Sequence, residues 1–204
     1  MKSLLKLLFV PIALLVTTSL VAQSGLTKAD RSAAVASLKA TQKTLVKAVK
    51  GLSDAQLNFK ASDEAWSVAE CIEHLAVSEK ALMGAVEMAK QTPADPSGRS
   101  SLAMSDQEVV GMISDRSMKI KTRPDLEPKN SFGSSAGSLD AFKTQRKANM
   151  KYVKKTDDDL RHHYFDFPFG KVDAMQVILF MSGHTTRHTD QIKEVMANAS
   201  FPSA

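Results

Sequence analysis

Residues 173–198 read DAMQVILFMSGHTTRHTDQIKEVMAN, and this stretch decides the fold class. Apolar side chains and two histidines recur in it at steps of three and four residues, the spacing of one face of an α-helix. Asp173 is placed to cap the helix, with Gln176 three residues further on. The inward-facing stripe consists of Val177, Met181, His184, His188, Ile192 and Val195. We therefore predict a long amphipathic helix that buries two imidazoles one turn apart.

Three more segments have the length and spacing of long helices. The first covers about residues 26–52, has Thr27 as its cap and meets Gly51 near its end. The second covers about residues 68–90 and opens with the capping box of Ser67 and Glu70, and the third covers about residues 139–155.

The region between the second and third long helices is variable. Residues 92–138 contain four of the seven prolines, and we expect a shorter helix at about 106–119 and an extended loop over 122–138. Residues 165–170, FDFPFG, are aromatic and turn-like, and no strand alternation has a convincing length. The pattern predicts an all-α protein, a four-helix bundle with a long connection between helices 2 and 3.

Residues 1–22 have the layout of a secretory signal peptide. Lys2 and Lys6 precede an apolar run, and small and polar residues lead to Ala22. We expect cleavage before Gln23, one domain over residues 23–204, and an exported protein that is soluble after the leader is removed. A retained N-terminal anchor is the alternative, although the apolar run is short for a membrane-spanning helix.

The composition narrows the function classes. The chain is 43% hydrophobic and 24% charged, which is typical of a globular protein. Cys71 is its single cysteine, which excludes a disulfide framework and a multi-cysteine metal site. A net charge of only +5, with two Tyr, one Trp and no basic block, argues against a nucleic-acid partner.

The histidines are the best candidates for chemistry. Of the five, His184 and His188 share the inward stripe, and His74 lies on the same face of the second helix as Cys71 and Val77. Burying three imidazoles costs free energy unless each is hydrogen-bonded or bound to a metal. Two histidines at i and i+4 can chelate a zinc, nickel or iron ion, and a third from a facing helix leaves one coordination position open.

Two other interpretations stay open from the residues alone. The histidines can be core residues that bond to protein groups without a metal. Alternatively, the bundle can be a non-catalytic binding module whose metal is structural or absent. Thr185 stands where a zincin has its catalytic glutamate, which argues against that class of metalloprotease and removes the obvious general base. We expect His162 and His163, after three aspartates, to be solvated.

Several short motifs resemble those of the DinB-like (DinB/YfiT) superfamily. They are Trp66-Ser67 ahead of Glu70, His74-Leu75, Asp158 to Arg161, Pro168 to Gly170, Asp173 to Gln176, and the run HTTRHTDQI at 184–192. Their order and spacing match over about residues 27–200, nearly the whole predicted mature chain.

The resemblance implies a bundle of up-down-down-up topology with a metal site of three histidines. Carried over by position, the ligands are His74, His184 and His188. It also implies a small-molecule substrate, a homodimer in many members, and thiol S-transferase, hydrolase-like or isomerase activities. The thiol transferases act in the cytosol, whereas the leader predicts export. We therefore expect a metal-dependent hydrolase or transferase, with the binding module as the alternative.

The neighbours of the predicted ligands have less specific roles. Gln191 shares a face with His188 and can orient its ring. Glu70 is less suited to orient His74, because it already takes part in the capping box. Cys71 is a fourth ligand, an oxidisable thiol or, as we expect, an inert apolar residue. Trp66 can line the cavity or pack as a hydrophobic staple, and we expect Arg187 and Asp190 to face solvent or a dimer partner.

Overall fold

Four long helices form the body of the protein, in a computed structural model that describes residues 25–203. They are α1 (Lys28–Val49), α3 (Val68–Ala89), α5 (Ser135–Lys155) and α6 (Ala174–Met196). Two short helices, α2 (Asp54–Asn58) and α4 (Asp106–Ser114), lie in the connections. The all-α four-helix bundle is thereby confirmed. The predicted signal peptide lies outside the described residues.

Two hydrophobic clusters fill opposite ends of the bundle and define the helix directions. One end combines the first halves of α1 and α6 with the last turns of α3 and α5, for example Leu38 with Val86 and Val153. The other end combines the last turns of α1 and α6 with the first turns of α3 and α5, for example Val49 with Phe142. α1 and α6 therefore run one way and α3 and α5 the other, which is the expected up-down-down-up order.

A polar layer, the Arg146 network, separates the two clusters. Arg146 is fully buried, and its guanidinium donates to both carboxylate oxygens of Glu79, at 2.5 and 3.0 Å. It also donates to the carbonyl oxygen of Leu38 and to the hydroxyls of Thr41 and Thr185. Asn149 adds a fifth side chain by donating to Glu79 at 2.9 Å. All five guanidinium N–H groups thus have an acceptor, so the network is saturated.

Capping residues set the helix starts as the sequence predicts. α1, α3 and α6 each begin with a capping box, at Thr27, Ser67 and Asp173. A cap of this kind typically contributes about 1 kcal/mol. Gly51, at a φ of 79°, ends the first helix in the left-handed conformation that glycine adopts at little cost.

The variable middle is more ordered than predicted. α5 begins at Ser135, four residues before the expected start, because the Ser134 hydroxyl caps it at the N–H of Gly137. α4 ends at Ser114 instead of continuing to 119, where the carboxylate of Asp115 accepts the N–H of Ser117 in a turn. Part of the predicted loop forms a short 3-10 helix at Pro124–Leu126.

A small hairpin corrects the expectation that the chain lacks strands. β1 (Tyr164–Phe167) and β2 (Gly170–Asp173) pair antiparallel, with Phe167 opposite Gly170. Each strand has four residues, too few for alternation to stand out in the sequence. The hairpin leads directly into α6, whose cap Asp173 is fully buried and paired with Arg161.

No helix among residues 25–203 has both the length and the hydropathy that crossing a membrane requires.

Candidate metal centre

The bundle brings the three predicted ligands together. Nε2 of His184 lies 3.1 Å from Nε2 of His74 and 3.1 Å from Nε2 of His188. α6 supplies His184 and His188 from successive turns, and α3 faces it antiparallel and supplies His74. We call these three residues the histidine centre.

The outer ring nitrogens of two of these histidines are already engaged. Nδ1 of His74 donates to the carbonyl oxygen of Leu126 at 2.8 Å, and Nδ1 of His188 donates to Oε1 of Gln191 at 2.9 Å. In a neutral imidazole, a protonated Nδ1 leaves Nε2 with a free lone pair. The lone pairs of His74 and His188 therefore converge on Nε2 of His184. The predicted orienting role of Gln191 agrees with this contact.

The spacing fits a divalent ion. Ligands at 2.0–2.1 Å in a tetrahedral site lie about 3.3 Å apart, close to the 3.1 Å seen here. Among the described residues, this is the one group of three or more ligating side chains whose donor atoms all lie within 4.8 Å of one another. Three neutral imidazole nitrogens that converge at this spacing are ligands that zinc, nickel and iron accept, so the donor set fits a metal.

The electrostatic surroundings keep the imidazoles neutral. Burial lowers the pKa of His74, although its hydrogen bond to Leu126 opposes this shift. Burial holds the pKa values of His184 and His188 well below the usual value of 6.5, and the neighbouring histidines lower them further. The rings are thus neutral at pH 7, the form that binds a metal.

Glu73 holds the loop that orients His74, a role that the sequence analysis missed. Its buried carboxylate accepts the backbone N–H groups of Lys129, Asn130 and Ser131 at 2.7–3.0 Å. Burial alone would raise the pKa of Glu73, but these donors lower it overall. The loop fixed in this way carries the Leu126 carbonyl oxygen to His74. The sequence offered one signal for this role: Glu73 is a carboxylate directly next to the predicted ligand His74, on the inward side of α3.

Trp66 lines the histidine centre and the cavity beside it, which is the first of the two roles predicted for it. Its indole lies 4.8 Å from the His74 ring and 5.9 Å from the His188 ring, centroid to centroid, and is stacked on the latter. It also lines a cavity of about 620 Å³ that reaches the centre at His188. The Ser78 hydroxyl, 3.4 Å from Nε2 of His74, is a further polar group that was not predicted.

Arg187 does not face solvent, which corrects the prediction. It is only 7% exposed, and its guanidinium donates to the carbonyl oxygens of Asp115 and Met118. The physical reason is that these carbonyls follow the end of α4, where helix N–H groups no longer reach them. Burial and the nearby Arg116 guanidinium lower the pKa of Arg187.

The other predicted residues lie apart from the centre. Cys71 is fully buried in the apolar cluster, and burial raises the pKa of its thiol to about 12, so it is the inert residue we expected. Glu70 is engaged in the capping box. His162 and His163 are half-buried instead of fully solvated, and Nδ1 of His162 bonds to Asp159 at 2.7 Å within the turn before β1.

Residues 37–192 match the family model of the DinB superfamily, more than two thirds of the chain. The chain belongs to the DinB superfamily. A relative, the uncharacterized protein YuaE of Bacillus subtilis (strain 168), is 32% identical over 152 residues, which are 72% of this chain and 87% of YuaE.

A solved structure has the same fold. YfiT from Bacillus subtilis is described as a probable metal-dependent hydrolase with an unusual four-helix bundle topology. It matches this protein with a TM-score of 0.54 at 15% identity, over 85% of this chain and 90% of YfiT. At this identity the likeness shows the fold alone.

Proposed function

We propose that this DinB superfamily member is a metal-dependent hydrolase, with a divalent zinc, nickel or iron ion bound by His74, His184 and His188. The observation that carries the proposal is the convergence of three Nε2 atoms while Nδ1 of two of the rings is held by other groups. The description of YfiT as a probable metal-dependent hydrolase supports the reaction class.

A divalent ion with three neutral ligands polarises carbonyl or phosphoryl oxygens and lowers the pKa of a coordinated water towards about 7. The chain itself supplies orientation. Leu126 and Gln191 hold two of the imidazoles, and Trp66 covers the centre on the cavity side. The cavity gives a small substrate access at His188.

Thr185 cannot serve as the base, because it belongs to the Arg146 network. It is fully buried, accepts from Arg146 at 2.6 Å and donates to the carbonyl oxygen of Met181. Three carboxylates line the cavity, of which Glu194 is paired with Arg116, so Glu64 and Glu127 are the candidate bases. Glu127 directly follows Leu126, the residue that holds His74.

Elemental analysis of the protein purified without added metal or chelator tests the ligand set. We expect close to one divalent ion per chain, and its loss in the variant His184→Ala/His188→Ala. The matched control His162→Ala/His163→Ala also removes two histidines and should keep its metal. Equal metal content in the wild type and the first variant would remove the proposal.

A panel of p-nitrophenyl esters, phosphates and anilides tests the reaction. Hydrolysis of one class should disappear on chelation, return with added metal, and be absent in His184→Ala/His188→Ala. Turnover only with an added thiol would point to the transferase instead. Metal binding that raises the melting temperature without turnover of any class would favour the non-catalytic binding module.

A further inference from the structure

The cavity beside the histidine centre has two kinds of wall. Apolar side chains cover one part, and the exposed Met118 and Ile120 form its rim. Basic side chains cover the other part, where Arg116 and Arg187 lie deepest and Lys119 and Lys121 lie further out. The pocket is therefore amphiphilic and has a cationic side, and the carboxylates of Glu64, Glu127 and Glu194 also line it.

Arg187 is a buried cation without a carboxylate partner. Its two hydrogen bonds go to neutral backbone carbonyls, and within residues 25–203 no carboxylate oxygen lies within 4.0 Å of its guanidinium. A buried charge is costly unless a group of opposite charge faces it. Because Arg187 lines the cavity, the missing negative charge can come from a molecule bound there.

Arg116 lies on the same wall and links it to the histidine centre. It forms a bidentate ion pair with Glu194, at 2.7 and 2.6 Å, and its Nη1 lies 3.3 Å from Oε1 of Gln191. Gln191 in turn accepts from His188. These contacts use three of the five guanidinium N–H groups, so one on each Nη atom is left for a ligand.

Four basic and three acidic side chains line the cavity, which leaves one net positive charge on its wall. Glu194 is a single carboxylate near two guanidiniums, those of Arg116 and Arg187. The three histidines are neutral ligands, so they offset none of the charge that a divalent ion would add. A bound anion would meet a fork of N–H donors of the kind that matches carboxylate and phosphate oxygens.

We propose that Arg116 and Arg187 form an anion subsite beside the histidine centre, and that the cavity takes a small organic anion. Its carboxylate or phosphate lies on the two guanidiniums, and its apolar part lies against Trp66 and the rim. That this anion is the substrate rests on the proposed hydrolase function, whereas anion binding itself does not need the metal.

Trp66 provides the measurement, because it is the single tryptophan of the chain and lines this cavity. The probes are phenyl phosphate, inorganic phosphate and phenol, titrated at low ionic strength against Trp66 fluorescence. They are added to the full chain as purified and to the same preparation after chelation. We expect the affinity to be highest for phenyl phosphate in both, since it alone contacts both walls.

Two substitutions should act in opposite directions. Arg116→Gln should weaken phenyl phosphate binding about tenfold or more, the value of a charge-assisted hydrogen bond. Glu194→Gln removes the carboxylate that competes for Arg116 and should tighten binding about threefold. Tighter binding cannot come from a damaged fold, so the second variant keeps the test valid if the first is unstable.

Arg123→Gln is the matched control. Arg123 lies on the same loop and is also paired bidentately with a carboxylate, that of Asp125, but it is 73% exposed in its side chain and does not line the cavity. Its loss should leave the affinity unchanged.

The outcomes separate this inference from the proposed function. Anion binding that survives chelation and responds to both variants supports the subsite even if the protein holds no metal. Binding that disappears on chelation would place the anion on the metal and overturn the subsite, as would equal affinities in the wild type and Arg116→Gln. A metal-loaded hydrolase that binds none of the probes would leave the proposed function intact and refute the subsite alone.

Discussion

Two polar clusters in the bundle interior share helix α6 but differ in one respect. In the Arg146 network, every guanidinium N–H has an acceptor and every oxygen of Glu79 has a donor. In the histidine centre, the outer nitrogens of His74 and His188 are engaged while the inner ones point at their neighbour. A saturated cluster holds helices together, whereas converging lone pairs leave a position for a ligand.

Among the substitutions that test this comparison, Arg146→Met should have the largest effect on stability. It leaves Glu79 buried without a counter-charge, and we expect the free energy of unfolding in urea to fall by about 3–5 kcal/mol. The double variant Arg146→Met/Glu79→Leu should recover much of that loss. A cost below about 1 kcal/mol for the single variant would show that the network does not stabilise the bundle.

The histidine centre should respond to metal instead. At a free metal concentration of about 100 times the dissociation constant, the wild type should gain about 2.7 kcal/mol of stability. His74→Ala should lose this gain, measured as the shift in melting temperature on adding zinc. His162→Ala, outside the centre, should keep it, and an equal shift in both variants would contradict the ligand assignment.

Substitution of Gln191 tests whether a residue that orients a ligand also contributes to metal affinity. Gln191→Ala frees the His188 ring, and the metal dissociation constant should rise about 10- to 100-fold in a competitive chelator titration. Asp190→Ala is the control, because the neighbouring carboxylate pairs with Lys193 at the surface. Equal effects of the two substitutions would mean that Gln191 does not orient His188.

The smallest expected change in stability concerns an ion pair near the surface, which belongs to neither polar cluster. Lys90, 2.7 Å from Asp158, holds the pKa of that carboxyl at about 2, below its ordinary value of 3.8. The folded state therefore gains stability above about pH 4, which it loses as the pH falls through about 2. Asp158→Asn should cost about 1 kcal/mol or less at pH 7.

Denaturation curves of the wild type and Asp158→Asn should converge as the pH approaches 2. A difference that persists at that pH would show that the carboxylate charge is not the cause.

Local patterns predicted most of the fold because they depend on neighbours in the chain. The capping boxes at Thr27, Ser67 and Asp173 and the apolar spacing of α6 act within one or two turns. The boundaries of α4 and α5 were less accurate, since the turn at Asp115 and the cap at Ser134 compete with helix propensity. The hairpin was missed because four-residue strands show too little alternation.

The sequence by itself determined the bundle and the placement of the three histidines on inward-facing sides of its helices, because residue spacing shows helical periodicity directly. Only the tertiary structure decided three things. Nε2 of His74 and Nε2 of His188 each lie 3.1 Å from Nε2 of His184, the Leu126 carbonyl oxygen orients His74, and Arg187 is buried. These contacts join residues up to 110 positions apart. Their distances depend on how whole helices pack, and no local pattern records that.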